Sequence, residues 1–299
     1  RCRAGCQCRR WKRGMIFVAR LLSRLPLWLL HALGAALGML LYVCSGRFRR
    51  YQQEHLQLAG YAHTAVGREA IAQTGKTLLE LPAIWLLPQE ESAARVVRVI
   101  GWSHIEQAMS ERRGLILLTP HLGCWEIGAQ ALAERFGPQF GDWLVLFRPP
   151  RKPWLQPLIE QSRQRPHLNG VPTNLTGVRR LVRALKSGGA TAILPDQVPP
   201  LGLGIWAPMW GQPAYTMTLL PRLVQQTGAV VLLTWCERRP QGRFTLHMRP
   251  WTPEGLYDPH TPIDELALQM NRAVEELVRA HPEQYLWGYD RHKQPREGD

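Results

Sequence analysis

At 299 residues, with 45% apolar and 20% charged side chains, the chain is too long and too apolar for a disordered or disulfide-stapled peptide. The length suits one large domain or two small ones. Its 37 basic and 23 acidic residues leave a net charge of +14. Such a balance favours acidic partners: nucleic acid, an anionic membrane face or an acidic protein.

Residues 1–14 hold Arg1, Arg3, Arg9, Arg10, Lys12 and Arg13 and no acid, and show no hydrophobic period. They read as a leader outside the folded protein, with Met15 as the natural start. Without those six charges the body still carries about +8. Cys2, Cys6 and Cys8 crowd this leader, whereas Cys44, Cys124 and Cys236 are scattered. The leader offers neither a fourth ligand nor a local scaffold, so a structural zinc is not expected from its cysteines. A reducing, cytoplasm-facing location fits this usage.

Residues 15–45 form the hydrophobic segment. From Leu25 to Cys44 no formal charge occurs over twenty residues, enough for about 30 Å of helix. Arg20 and Arg24 precede the stretch, Arg47, Arg49 and Arg50 follow it, and Trp28 and Tyr42 stand near its ends. Three readings stay open: a membrane anchor that spans or lies in the interface, a hydrophobic docking helix, and a signal sequence. Basic residues on both flanks leave the topology undetermined.

The remainder, 46–299, reads as one domain. Residues 51–85 have helical spacing with breaks only at Gly60, Gly67 and Gly75. A helix over 103–113 precedes a short apolar strand at 114–119 (GLILLT). Helices follow at 123–135, 153–165, 177–186 and 217–226, with strands at 143–147, 190–194 and 229–237 among them. A strand at 242–249 and a long amphipathic helix at 263–280 complete the series. Strands alternating with helices predict an α/β fold, a mostly parallel central sheet flanked by helices, with the hydrophobic helix at the N-terminus. In such sheets ligands collect at the carboxyl ends of the strands.

His121 stands just past the strand at 114–119, and Glu126 follows five positions later, after Pro120 and Gly123. On a continuous helix, five residues rotate about 140° apart. The two side chains meet only if His121 sits in the turn and Glu126 in the first turn of the next helix, where the dipole favours a carboxylate. Glu126 would then hold one ring nitrogen and leave the other free to take a proton. The alternative is a satisfied strand-end histidine beside a helix-terminal glutamate.

Four blocks occur in a fixed order: His121–x4–Glu126 after an apolar strand, FRPPRKPWLQPLIEQSR (147–163), LPDQVPPLGLGIWAPMWGQPAYT (194–216) and YLWGYDRHK (285–293). With the hydrophobic N-terminal helix, they resemble the late (secondary) acyltransferases of lipid A biosynthesis, within the wider lysophospholipid acyltransferase group. The likeness runs from about Met15 to Lys293. The glycerol-phosphate branch of that group usually shows Asn before the His, Asp in place of Glu126 and a Phe-Pro-Glu-Gly block, so the glycolipid branch is the better match.

The resemblance implies O-acyl transfer from an acyl-acyl carrier protein thioester to a hydroxyacyl group of a lipid A precursor glycolipid. It implies the bacterial inner membrane, with the catalytic domain facing the cytoplasm. His121 would be the general base and Glu126 its orienting partner, without a covalent acyl-enzyme, a metal or another cofactor. Arg148 and Arg163 would bind substrate, as guanidinium groups suit phosphates or an oxyanion. Asp196 and Gln197 would shape the substrate pocket, ordinary strand capping being the alternative. Trp206, Met209 and Trp210, in a loop, would line an acyl groove, dip into the interface or pack in the core. The tail has Tyr289-Asp290 before Arg291 where the family commonly places His-Arg, so acceptor contacts from this tail are not carried over.

Two rival functions remain: acylation of a lysophospholipid or other glycolipid acceptor, and non-catalytic binding of acidic lipid by a basic membrane protein. Nucleic acid is not an expected partner, because the basic residues are dispersed and no recognition motif for it is present.

Overall fold

A computed structural model describes residues 18–147 and 164–297. The leader at 1–14, Arg148, Arg163 and most of the helix expected at 153–165 lie outside the described residues. Helix α1 (Leu27–Cys44) is followed by α2 (Gly46–Leu58), α3 (Ala65–Leu86) and α4 (Gln89–Ala94). The sheet-forming part then runs β1 (Val96–Ile100), α5 (Trp102–Ser110), β2 (Leu115–Leu118), α6 (Trp125–Phe140), β3 (Trp143–Phe147), β4 (Gln164–Arg165) and β5 (Leu168–Pro172). It continues through α7 (Leu175–Lys186), β6 (Ala190–Ile193), β7 (Gly204–Met209), β8 (Gln212–Met217), α8 (Leu219–Thr227), β9 (Val230–Arg239), β10 (Arg243–Pro250) and α9 (Ile263–Ala280).

The main sheet has the order β1-β10-β9-β2-β6-β3-β5-β4. Pairing is parallel except at β9–β10 and β4–β5. The expected α/β architecture is therefore present. Alternation along β2 explains why both faces are covered. Ile116 and Leu118 pack with Leu181, Leu223, Met270 and Val274 of α7, α8 and α9. Leu115 and Leu117 face the other way, onto Ile105 of α5 and Ile127 and Phe136 of α6. All four residues of β2 are buried, which is why the strand reads as an unbroken apolar run.

Several expectations need correction. The helix expected over 51–85 is two helices, because Gly60 adopts a positive φ of 83° and Thr64 caps α3 by accepting from the Gly67 amide. Residues 164–165, expected to end a helix, form a strand antiparallel to β5. The loop expected around Trp206, Met209 and Trp210 contains a separate two-stranded hairpin, β7–β8, turned by Trp210 (φ 52°) and Gly211 (φ 74°). Two residues with positive φ suit a tight two-residue hairpin turn, and the opposed Pro208 and Pro213 are tolerated in so small a sheet. Strands β1 and β5 were not anticipated. β1 is an edge strand with the burial pattern of a half-exposed element, and β5 contains Asn169, Gly170 and Pro172.

Helix α1 is long and apolar enough to cross a membrane by length and composition. Its inner edge packs on α3 through glycines. A Cβ on Gly34 would come within 2.7 Å of the Lys76 Cα, and one on Gly75 would run into the Gly34 carbonyl oxygen. Close backbone approach here requires residues without side chains. The outer edge exposes Trp28, Leu33, Met39, Leu40 and Val43.

Candidate functional site

The parallel register of β2 and β6 builds the site. Leu118 pairs with Ile193, and each strand continues through a proline-containing exit, Thr119-Pro120-His121 and Leu194-Pro195-Asp196. His121 and Asp196 thus stand at equal offsets past their register partners, at the carboxyl edge of the sheet. The His121 Nδ1–H donates to Asp196 Oδ1 at 2.8 Å, and the His121 main-chain amide donates to Asp196 Oδ2, also at 2.8 Å. On the other side of the ring, the Gln197 side-chain amide meets His121 Nε2 at 3.0 Å. The Trp125 ring lies edge-on at 4.7 Å from the imidazole.

These contacts set the imidazole's tautomer. A carboxylate can only accept, so Nδ1 carries the proton; Gln197 donating to Nε2 leaves the lone pair there. The Asp196 side chain is nearly fully buried and that of His121 mostly so. Burial alone would raise the Asp196 carboxyl, but its interaction with His121, through the hydrogen bonds from the ring and the main-chain amide, holds it below the usual range. Tyr285, buried beneath, is pushed well up by burial and by the negative Asp196, to which it is hydrogen-bonded.

The turn carrying His121 is braced from three directions. The Gly123 amide donates to the Gln284 carbonyl at 3.1 Å, the Cys124 amide to the Cys236 carbonyl at 2.8 Å, and the Leu286 amide to the His121 carbonyl at 3.1 Å. Gly123 has a φ of 62°, and a Cβ there would collide with the Cys236 carbonyl oxygen. The fourth brace is a buried arginine. Arg238 donates to the Gly123 carbonyl at 2.9 Å, to Thr77 Oγ1 at 2.6 Å and to both carboxylate oxygens of Glu80. Glu80 in turn meets His31 Nε2 of α1 at 2.8 Å. Burial opposes the Glu80 charge, yet Arg238 and His31 outweigh it and hold its carboxyl down at about 2. A path of direct contacts therefore runs from the hydrophobic helix to the turn that carries His121.

Asp196 and Gln197, expected to shape a substrate pocket, stand on the two ring nitrogens of His121. Glu126 lies buried in the first turn of α6, as expected of its position, while the carboxylate in contact with Nδ1 is that of Asp196. Cys124 is the N-terminal flanking residue of α6; it is buried, and burial pushes its thiol well up, an environment that disfavours the thiolate. Of the three residues weighed for an acyl groove, Met209 and Trp210 are core residues, while Trp206 is exposed. Trp206 lines an open groove of about 830 Å³ together with His55, Leu58, Pro213, Asp290 and His292. Arg291 is buried, donating to the Tyr215 carbonyl at 2.7 Å and to Thr216 Oγ1 at 2.8 Å, so it fastens the tail to the β7–β8 hairpin.

Glu80 and Arg238 escaped the sequence reading. The signal was present: Gln73, Thr77 and Glu80 recur at helical spacing, and Arg238 stands near the end of a mostly apolar strand.

A family model described as bacterial lipid A biosynthesis acyltransferase matches residues 9–294. The chain is 27% identical to a lipid A biosynthesis lauroyltransferase of Escherichia coli (strain K12), over 95% of this chain and 91% of that protein. It is 26% identical to a lipid A biosynthesis palmitoleoyltransferase of the same organism, over 90% and 87% of the two chains. A lipid A biosynthesis acyltransferase of Haemophilus influenzae shares 24% identity, over 91% and 84%.

Proposed function

Because the chain belongs to the bacterial lipid A biosynthesis acyltransferase family, we propose that it moves a fatty acyl chain from an acyl-acyl carrier protein to a hydroxyl on a hydroxyacyl chain of a lipid A precursor, with His121 as general base. The observation that carries the mechanism is the His121–Asp196 contact at 2.8 Å, which occupies Nδ1 and turns Nε2 toward the side chain of Gln197.

The acceptor hydroxyl takes the place of the Gln197 amide on Nε2. As its oxygen attacks the thioester carbonyl, its proton passes to Nε2, and the ionised Asp196 stabilises the imidazolium that forms. Collapse of the tetrahedral intermediate breaks the carbon–sulfur bond. The imidazolium returns its proton to the departing thiolate, leaving an ester and a free carrier-protein thiol. The step needs no covalent acyl-enzyme, in keeping with the buried Cys124. Glu126 is the second carboxylate of the site, at a helix start beside the His121 turn. Arg148 and Arg163 fit phosphate or oxyanion binding by chemistry.

The setting is the cytoplasmic face of the inner membrane. The exposed apolar edge of α1 and the arginines at its two ends, Arg20, Arg24, Arg47, Arg49 and Arg50, match an apolar layer bounded by anionic headgroups. Glycine packing and the His31–Glu80 contact hold α1 against the body, which supports a helix that seats the domain on the bilayer. The +14 charge would steer both an acidic carrier protein and a phosphorylated glycolipid to that surface.

The test is acceptor choice. Protein in vesicles, supplied with acyl-acyl carrier protein, is offered a lipid A precursor and a lysophospholipid, and products are weighed by mass spectrometry. Addition of one acyl group to the glycolipid, with an inert lysophospholipid, is expected. Acylation of the lysophospholipid alone would move the chain to the rival substrate class.

A further inference from the structure

We propose that Glu237, His247 and His281 form a binding site for a first-row divalent cation of the Zn²⁺ type, on the β9–β10 ribbon and separate from the His121 site. Glu237 and His247 lie on neighbouring antiparallel strands, where Glu237 pairs with Thr245 and Trp235 with His247, so the two side chains are diagonal neighbours on one face. His281 reaches the same point from the end of α9. Glu237 Oε2 is 3.0 Å from His247 Nε2 and 4.0 Å from His281 Nε2, and all three donor atoms lie within 4.8 Å of one another. Donors bound tetrahedrally to Zn²⁺ at roughly 2.0–2.1 Å stand about 3.3 Å apart. Closing this set shortens the longest separation, at most 4.8 Å, by up to about 1.5 Å.

The surroundings are those of a built site rather than a chance meeting. The guanidinium of Arg239 takes Glu237 Oε1 at 2.7 Å and so leaves Oε2 turned to the two imidazoles. The Trp235 ring stacks on His247 at 4.4 Å and 6°, which fixes that imidazole's plane. Behind His281, Glu283 Oε1 lies 3.6 Å from Nδ1, the position from which a second carboxylate orients a metal-bound histidine. On binding, the hydrogen bond between Glu237 and His247 gives way to two metal bonds as His247 carries its proton on Nδ1. Two imidazoles and one carboxylate leave a fourth position for water, a donor set that suits Zn²⁺ or Co²⁺ better than Mg²⁺ or Ca²⁺.

The cation would tie the end of α9 to β9 and β10. The segment starting at His281 also carries Gln284, whose carbonyl accepts the Gly123 amide, so the same clamp stiffens a brace of the catalytic turn. This inference does not depend on the acyl-transfer reading.

The experiment loads the metal-free full-length protein in detergent with Zn²⁺ and with Co²⁺. One tightly held metal per chain is expected, with a Co²⁺ visible spectrum of tetrahedral nitrogen–oxygen type and no thiolate charge-transfer band, which excludes the leader cysteines. The double variant His247→Ala, His281→Ala should lose that metal while retaining a cooperative melt. Should it fail to fold, Glu283→Gln serves instead, with affinity expected to fall about 10- to 100-fold. Absence of a stoichiometric metal in the wild type, a thiolate spectrum, or binding unchanged in the variants overturns the proposal.

Discussion

Asp196 grips His121 at two points, the imidazole Nδ1 and the main-chain amide, each at 2.8 Å. One carboxylate thereby fixes both the ring and the backbone that carries it. Because the two residues leave neighbouring parallel strands at matching offsets, the sheet itself sets their separation.

Replacing Asp196 with Asn keeps the shape and removes the charge that stabilises an imidazolium. Acyl transfer should fall by about 10²- to 10⁴-fold in kcat, with KM for the glycolipid little changed and a lower melting temperature, because the Asn amide can accept from only one of the two His121 donors. Steady-state kinetics on the purified variant check this.

The two carboxylates near His121 can be ranked by a double-variant cycle. Glu126→Gln should also lower kcat. If both groups act through the same imidazole, Glu126→Gln combined with Asp196→Asn costs no more than the worse single change. Losses that multiply would assign Glu126 a separate task.

Glu80 and Arg238 form a buried pair whose disruption strands a charge. Glu80→Gln should destabilise the fold by about 3–5 kcal/mol, whereas Glu80→Leu combined with Arg238→Met recovers much of that loss. The pH dependence has a definite sign. The Glu80 carboxyl is lowered from 4.5 to about 2, so its contribution is fully present above pH 4.5 and is lost as pH falls from there through about 2. It amounts to roughly 3 kcal/mol. Denaturation of wild type and Glu80→Gln at pH 7 and pH 3 should show the gap between them narrowing in acid.

The outer edge of α1 should govern membrane affinity without touching the site. Trp28→Ser, Leu40→Ser and Val43→Ser together should weaken binding to vesicles of anionic lipid by at least tenfold, since each buried apolar side chain contributes about 1.5–3 kcal/mol. Flotation at rising salt should weaken wild-type binding further through screening of the flanking arginines.

Much of this was legible in the text of the chain. The apolar run at 114–119 marked β2 because a strand covered on both faces has no polar positions, and His121 at its exit marked the sheet edge. The role of Asp196 was hidden because it depends on β6 lying beside β2, a neighbour relation between residues 75 positions apart. The shared strand–x–Pro–x exits at His121 and Asp196 hinted at it. The β7–β8 hairpin was masked by its prolines, and α2–α3 read as one helix because Gly60 breaks the chain without breaking the apolar period. The pairing of Arg238 was not legible, since its side-chain partners Gln73, Thr77 and Glu80 lie on a helix more than 150 residues earlier.

The most direct measurement compares acyl transfer by wild type and His121→Ala in the same vesicles at matched protein, read by mass spectrometry of the lipid A precursor. The account predicts that the variant binds the vesicles as the wild type does and transfers acyl groups at least 10²-fold more slowly. Transfer by His121→Ala within a few-fold of the wild-type rate would contradict it.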